Sequence, residues 1–163
     1  MSLLVVTTGG TIDKLYFDAL SEYQIGDSVV ERVLRQARVA LPFRVVELLR
    51  KDSLDLTDAD RAAIVATVAA APETRAVITH GTDTMTATAA ALLASGGVTG
   101  KTIVLVGALA PARFADSDAP FNLGMAVAAA QTAAPGVWIA MNGTVFDGAK
   151  VRKDRSINSF VPS

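Results

Sequence analysis

The 163-residue chain contains no cysteine and one histidine. Thiolate nucleophiles, disulfides and thiolate metal sites are therefore absent, and a histidine-built metal centre is argued against. Chemistry falls to hydroxyls, carboxylates and amines, and such groups gather in short segments. Thr7-Thr8-Gly9-Gly10-Thr11 places hydroxyls around a glycine pair that lets the backbone turn sharply and bring its N–H groups close to a ligand. Lys51-Asp52-Ser53-Leu54-Asp55 and Thr79-His80-Gly81-Thr82-Asp83-Thr84 combine hydroxyls with carboxylates. Val106-Gly107-Ala108 offers backbone N–H groups after a fourth apolar run. A threonine hydroxyl is a weak nucleophile until a base accepts its proton, and a lysine can serve where its cationic form is disfavoured. Lys153, in the run Lys150 to Arg155, is one such amine.

Each segment also has a plainer reading when taken singly. Gly9-Gly10 makes a tight turn flanked by capping threonines; neither G-x-G-x-x-G nor G-x-x-x-x-G-K-[ST] is present, which disfavours a nucleotide-binding domain. Asp83 or Thr82 is placed to cap a helix starting near Met85, and His80 reads as a satisfied structural group. A charge run such as 150–155 is ordinarily a solvated face, Tyr23 serves equally as a loop anchor, and Trp138 reads as core.

The elements that must position these groups follow from apolar patterning. Leu3 to Thr7, Arg44 to Leu48, Ala76 to Thr79, Ile103 to Val106 and Val137 to Met141 read as strands. Helices are expected near Ser28 to Val39, Thr57 to Ala70, Met85 to Ala94 and Ala119 to Thr132, with Thr57, Asp58 and Asp60 marking one start and Asp118 before Pro120 another. Apolar strands alternating with helices predict an α/β fold, a three-layer doubly wound parallel sheet of the Rossmann or flavodoxin type, as a single domain over residues 1–163. Ligands bind such sheets beyond the carboxyl ends of the strands, where the hydroxyl-rich segments fall.

A net charge of -1, from 15 basic and 16 acidic residues, leaves nothing to hold a phosphate backbone or an anionic membrane, so neither is expected as a partner. The uncharged stretches 84–100 and 119–146 are broken by Ser, Gly, Asn, Gln and Pro and read as buried segments, not spans. Without a basic start and a long apolar run at the N-terminus, a cytoplasmic location is expected.

In order, Thr8-Gly9-Gly10-Thr11-Ile12, Ile78 to Met85 with its His80-Gly81-Thr82-Asp83-Thr84 core, and Val106-Gly107-Ala108 resemble the bacterial-type L-asparaginase/glutaminase family. Ser21-Glu22-Tyr23, Asp52-Ser53-Leu54-Asp55, Ala119-Pro120-Phe121-Asn122-Leu123 and Met141 to Gly148 followed by Lys153 extend the resemblance across essentially the whole chain. It implies the fold of that family's N-terminal domain and hydrolysis of the side-chain amide of asparagine, glutamine or a related small amide, with no cofactor or metal. It implies Thr11 as nucleophile, Tyr23 on a flexible loop polarising or deprotonating it, and Thr82, Asp83 and Lys153 as a second catalytic cluster. Ser53 and Asp83 would hold the substrate's α-carboxylate and α-ammonium, and N–H groups beside Gly10, Gly81 or Ala108 the oxyanion.

The chain also departs from the pattern. The family's C-terminal domain is expected to be absent, Leu109-Ala110-Pro111 stands where Met-Arg-Pro is common, and Leu54 replaces a common polar residue. The missing domain keeps a second reading open, an amino-acid-binding or regulatory module with little turnover. Two further expectations follow: a mobile lid over Ile12 to Asp27, and at least a homodimer built on the charge-free helices 85–94 and 119–132, with the cleft around Thr11 and Thr82 near the interface.

Overall fold

A computed structural model describes residues 1–163. Strand β1 (Leu3–Gly9) lies inside a six-stranded sheet with β4 (Phe43–Lys51), β5 (Arg75–Thr79), β6 (Thr102–Val106), β7 (Gly136–Met141) and β8 (Thr144–Asp147), in the order β4-β1-β5-β6-β7-β8. All neighbours run parallel except β7 and β8, an antiparallel pair. Along the parallel strands successive residues feed opposite faces. Leu4, Val6, Ile78, Ile103 and Leu105 pack with α2 (Asp58–Ala70) and α3 (Met85–Ala94); Leu3, Val5, Val77, Val104 and Val106 pack with α1 (Val30–Gln36) and α4 (Ala119–Thr132). The three-layer α/β architecture expected from the apolar runs is thus present. No helix is long and apolar enough to cross a membrane.

The helical starts obey their local chemistry unevenly. Thr57 and Asp60 form a reciprocal capping box on α2. Asp118 sits at the start of α4 without capping it; its carboxylate instead accepts from Leu109 N and Ala110 N. Helix α1 is shorter than the expected 28–39, because Arg38 adopts a left-handed φ of 55° and Val39 N returns to Leu34 O. Strand β4 is not continuously apolar: it is a sheet edge whose Arg44, Glu47 and Arg50 face out. Trp138 is half-buried rather than core, its ring N–H donating to Ala134 O.

Three hairpins escape the apolar pattern. The expected loop over 12–27 contains a tight turn (Thr11–Asp13) and an antiparallel pair, β2 (Lys14–Phe17) and β3 (Glu22–Ile25). The tail after Asp147 folds into β9 (Val151–Asp154) and β10 (Ser159–Pro162), and β8 follows a turn at Asn142-Gly143 with φ of 53° and 71°. From β1 the chain moves to the edge strand β4, then returns across β1 to β5 before continuing outward. The sheet order therefore reverses between β1 and β5, the switch point at which α/β sheets bind ligands.

Candidate active site

At that switch point three loops meet. Gly9 (φ 99°) and Gly10 (φ 84°) turn the backbone out of β1, and Gly10 N donates to Lys51 O at the end of β4. A Cβ on Gly10 would lie 2.5 Å from Gly81 N, and one on Gly81 would lie 2.6 Å from Ser53 Cβ. Backbone thus packs on backbone across β1, β5 and the Ser53–Asp55 turn, and the buried Ser53 is further tied by the Thr84 hydroxyl, which donates to Ser53 O at 2.7 Å. Gly10→Ala adds a Cβ where the neighbour cannot yield and where φ and ψ (84°, -176°) suit glycine alone. We expect it to cost at least about 2 kcal/mol, read as a lowered urea midpoint, and to remove any activity with it.

Thr82 and Asp83 do not cap α3, whose first-turn boundary is Thr84 without a side-chain cap. They face Lys153. Its Nζ donates to Thr82 Oγ1 at 2.7 Å and to Asp83 Oδ1 at 2.8 Å, with the lysine side chain only 11% exposed and Thr82 buried. The solvated-face reading of this lysine is therefore corrected. Val151 and Phe160, on β9 and its partner β10, are anchored in the core, and Phe160 N donates to Asn142 Oδ1. That anchoring carries Lys153 inward while Arg152 stays out; Arg155 stands 3.8 Å from Asp83 and is largely exposed.

Thr11 follows Gly10 as the one half-buried residue of a turn whose Ile12 and Asp13 are buried, and its hydroxyl takes no part in the Lys153 network. Tyr23 stands on β3, half-exposed, its ring edge-on to Tyr16 (5.5 Å) and Phe114 (6.1 Å). Ala108 is buried, below a loop whose Gly107 O accepts from Asn122 Nδ2. The structure thus joins Thr82, Asp83 and Lys153 in one hydrogen-bonded set, packs Gly10 and Ser53 on Gly81 next to it in the chain, and leaves Tyr23 on the hairpin, with no hydrogen bond joining it to Thr11. No group of three or more His, Asp or Glu converges to hold a metal ion.

Two buried ionisable groups flank the site. His80, fully buried, bonds Gly81 O through Nδ1 and Thr88 Oγ1 through Nε2, both at 2.7 Å, in keeping with a satisfied structural role. Burial pushes its pKa from 6.5 down to about 4, against the opposing bond to Gly81. Asp13, absent from the sequence reading, is 1% exposed and accepts from Val29 N (3.0 Å) and Ser28 Oγ (3.1 Å). Burial raises its carboxyl from 3.8 to about 6, outweighing those bonds and the nearby Arg113, with Glu47 adding to the rise. Its signal was a lone carboxylate directly after Thr11-Ile12.

These shifts oppose each other. Native Asp13 takes a proton before the unfolded chain does, so its contribution is favourable in acid and lost as pH rises through about 6. Native His80 resists a proton that the unfolded chain accepts, so its contribution is lost as pH falls from about 6.5 to 4. Each is worth roughly 3 kcal/mol. Asp13→Asn removes the first and keeps the acceptor oxygen. The variant is expected to be more stable than the parent at pH 7.5, to lose stability more steeply on acidification, and to match it near pH 4, as read from urea midpoints.

Residues 2–160 match the family model described as Asparaginase, N-terminal. An L-asparaginase of Thermococcus kodakarensis is 31% identical over 164 residues, 96% of this chain and 49% of that protein. Its solved structure superposes with a TM-score of 0.83 at 28% identity over 99% of this chain and 51% of that one. A probable cytoplasmic L-asparaginase from Campylobacter jejuni gives 0.82 at 30% identity, covering 99% and 52%. A probable periplasmic L-asparaginase of Haemophilus influenzae is 32% identical over 162 residues, 93% of this chain and 46% of that protein. The chain spans about half the length of these relatives. Fold, loop constellation and the match over nearly every residue agree: this chain belongs to the asparaginase family, corresponding to its N-terminal domain.

Proposed function

We propose that this domain hydrolyses the side-chain amide of asparagine, glutamine or a related small amide to the acid and ammonia, through an ester on Thr11. The observation that carries the reading is the inward lysine shared between Thr82 and Asp83 beside the Gly9-Gly10 turn. In the free site Asp83 pairs with Lys153 Nζ at 2.8 Å. A substrate's α-ammonium seated on Asp83 would draw that carboxylate away, disfavouring the lysine cation and freeing its amine to take a proton through Thr82. Thr11, activated in this way or through Tyr23, attacks the amide carbon, and backbone N–H groups at Gly10, Gly81 or Ala108 stabilise the oxyanion. Collapse of the intermediate breaks the C–N bond as the proton taken from Thr11 passes to the departing nitrogen, which leaves as ammonia, and water then hydrolyses the ester, releasing the acid and restoring the Thr11 hydroxyl. Ser53 and Asp83 orient the amino acid. No metal or organic cofactor enters this scheme, and the reaction is placed in the cytoplasm.

Purified protein is tested for ammonia release from asparagine, glutamine and small amides. Release that saturates with substrate supports the reading; tight aspartate binding without release would make the domain a binding module.

Assembly belongs to the same proposal. Helices α3 and α4 carry no charged residue, and Leu93 and Phe121 stand 45% and 66% exposed on them. A second copy is the simplest cover for such faces. Light scattering is expected to give at least twice 16.9 kDa, and the monomer mass at high concentration would remove the assembly.

A further inference from the structure

The Lys14–Ile25 hairpin carries Tyr23, yet two four-residue strands cannot hold themselves in place in water. What fixes it lies at its base. Gly26 N, on the outgoing leg, donates to Asp13 O on the incoming leg at 3.0 Å. Arg113 bridges the same two legs, giving Nη1 to Asp13 O at 2.9 Å and Nη2 to Asp27 O at 2.8 Å. The buried Asp13 carboxylate then ties the incoming leg to Ser28 and to Val29 N at the start of α1. Ala112 N donates to Ile12 O, and Phe114 meets Tyr23 edge-on, so the segment 112–114 grips both the turn and the hairpin. Two other tethers, Lys14 to Asp52 at 3.3 Å and Arg50 to Asp27 on the outgoing leg, are partly to largely exposed ion pairs of the kind that contribute little. Thr11 and Asp13 are the two ends of one tight turn, Thr11–Asp13. Whatever displaces Asp13 displaces Thr11.

We infer that Asp13 and Arg113 are positioning residues that lock the nucleophile's turn and both legs of the hairpin into one unit, setting the pose of Thr11 and of Tyr23 together. The inference rests on the amide-hydrolysis reading for its catalytic consequence, while the clamp itself is observable without turnover. Small errors in nucleophile position are costly to rate without altering ground-state binding.

The experiment compares Asp13→Ala, Asp13→Asn and Arg113→Gln with the parent, in the full 163-residue chain, by hydrogen exchange and by kinetics. Exchange of the amides over 15–24 is expected to accelerate at least tenfold in Asp13→Ala and in Arg113→Gln while β6 amides keep the parental rate; Asp13→Asn, which retains the acceptor, stays within about twofold of the parent. Parental exchange over 15–24 in both disruptive variants overturns the clamp, and Arg113→Gln keeps that arm decisive should Asp13→Ala fail to fold. In turnover, kcat is expected to fall at least tenfold in the two disruptive variants with KM and aspartate affinity within about twofold, and Asp13→Asn is expected to recover most of kcat. Loosened exchange with unchanged kcat overturns the positioning role. A parent that releases no ammonia from any amide refutes the proposed reaction instead, and the exchange arm still decides the clamp.

Discussion

Thr11→Ala is expected to abolish ammonia release from asparagine and glutamine while leaving the domain folded. The side chain is half-buried in a tight turn, outside both core clusters, and its hydroxyl takes no part in the Lys153 network, so truncation is expected to cost stability no more than about 1 kcal/mol. Removal of a covalent nucleophile, by contrast, lowers kcat by on the order of 10³-fold or more. Thr11→Ser keeps the hydroxyl but frees its rotamer, and partial activity is expected. Ammonia release is measured beside the urea midpoint of each variant. Turnover in Thr11→Ala at the parental rate would remove this residue from the mechanism, whereas loss of both activity and midpoint would mean that the turn itself had failed.

Legibility in the sequence followed the apolar signal. Helices α3 and α4 begin and end where their Ala-rich runs do, and the parallel strands lie within two residues of the β-branched runs, except for the longer edge strand β4. The hydroxyl-rich segments were legible as loops for the same reason, since each interrupts an apolar strand end. The hairpins were not. Strands of four residues with at most one buried position carry too little alternation to register, and their turns use left-handed Ser21, Asn142 and Asn158, of which only Asn142-Gly143 announces itself. Asp13 was hidden because a carboxylate after a turn reads as surface, although its partners lie 15 and 16 residues away at the start of α1.

Lys153→Met is expected to be as inactive as Thr11→Ala, for a reason that composition concealed. Within the run 150–155 this lysine looks like one solvated cation among four, yet Val151 and Lys153 share a face of β9 and Val151 is buried, so the strand period alone turns Lys153 inward. Its 11% exposure and its bonds to Thr82 and Asp83 set the amine inside the site, where the proposed reaction needs a base. Methionine matches the length of the lysine stem without an amine, leaving Asp83 unpaired except for the more distant Arg155 at 3.8 Å. Because Asp83 is about one-third exposed, water satisfies it, and the stability change is expected to stay within about 1 kcal/mol. Lys153→Arg is the sharper control. It keeps the ion pair to Asp83, but a guanidinium does not deprotonate, so a base role predicts that arginine is as dead as methionine while a purely structural role predicts rescue. Lys153→Arg with at least a tenth of the parental kcat would assign the residue to holding Asp83 and move the proton transfer to Tyr23.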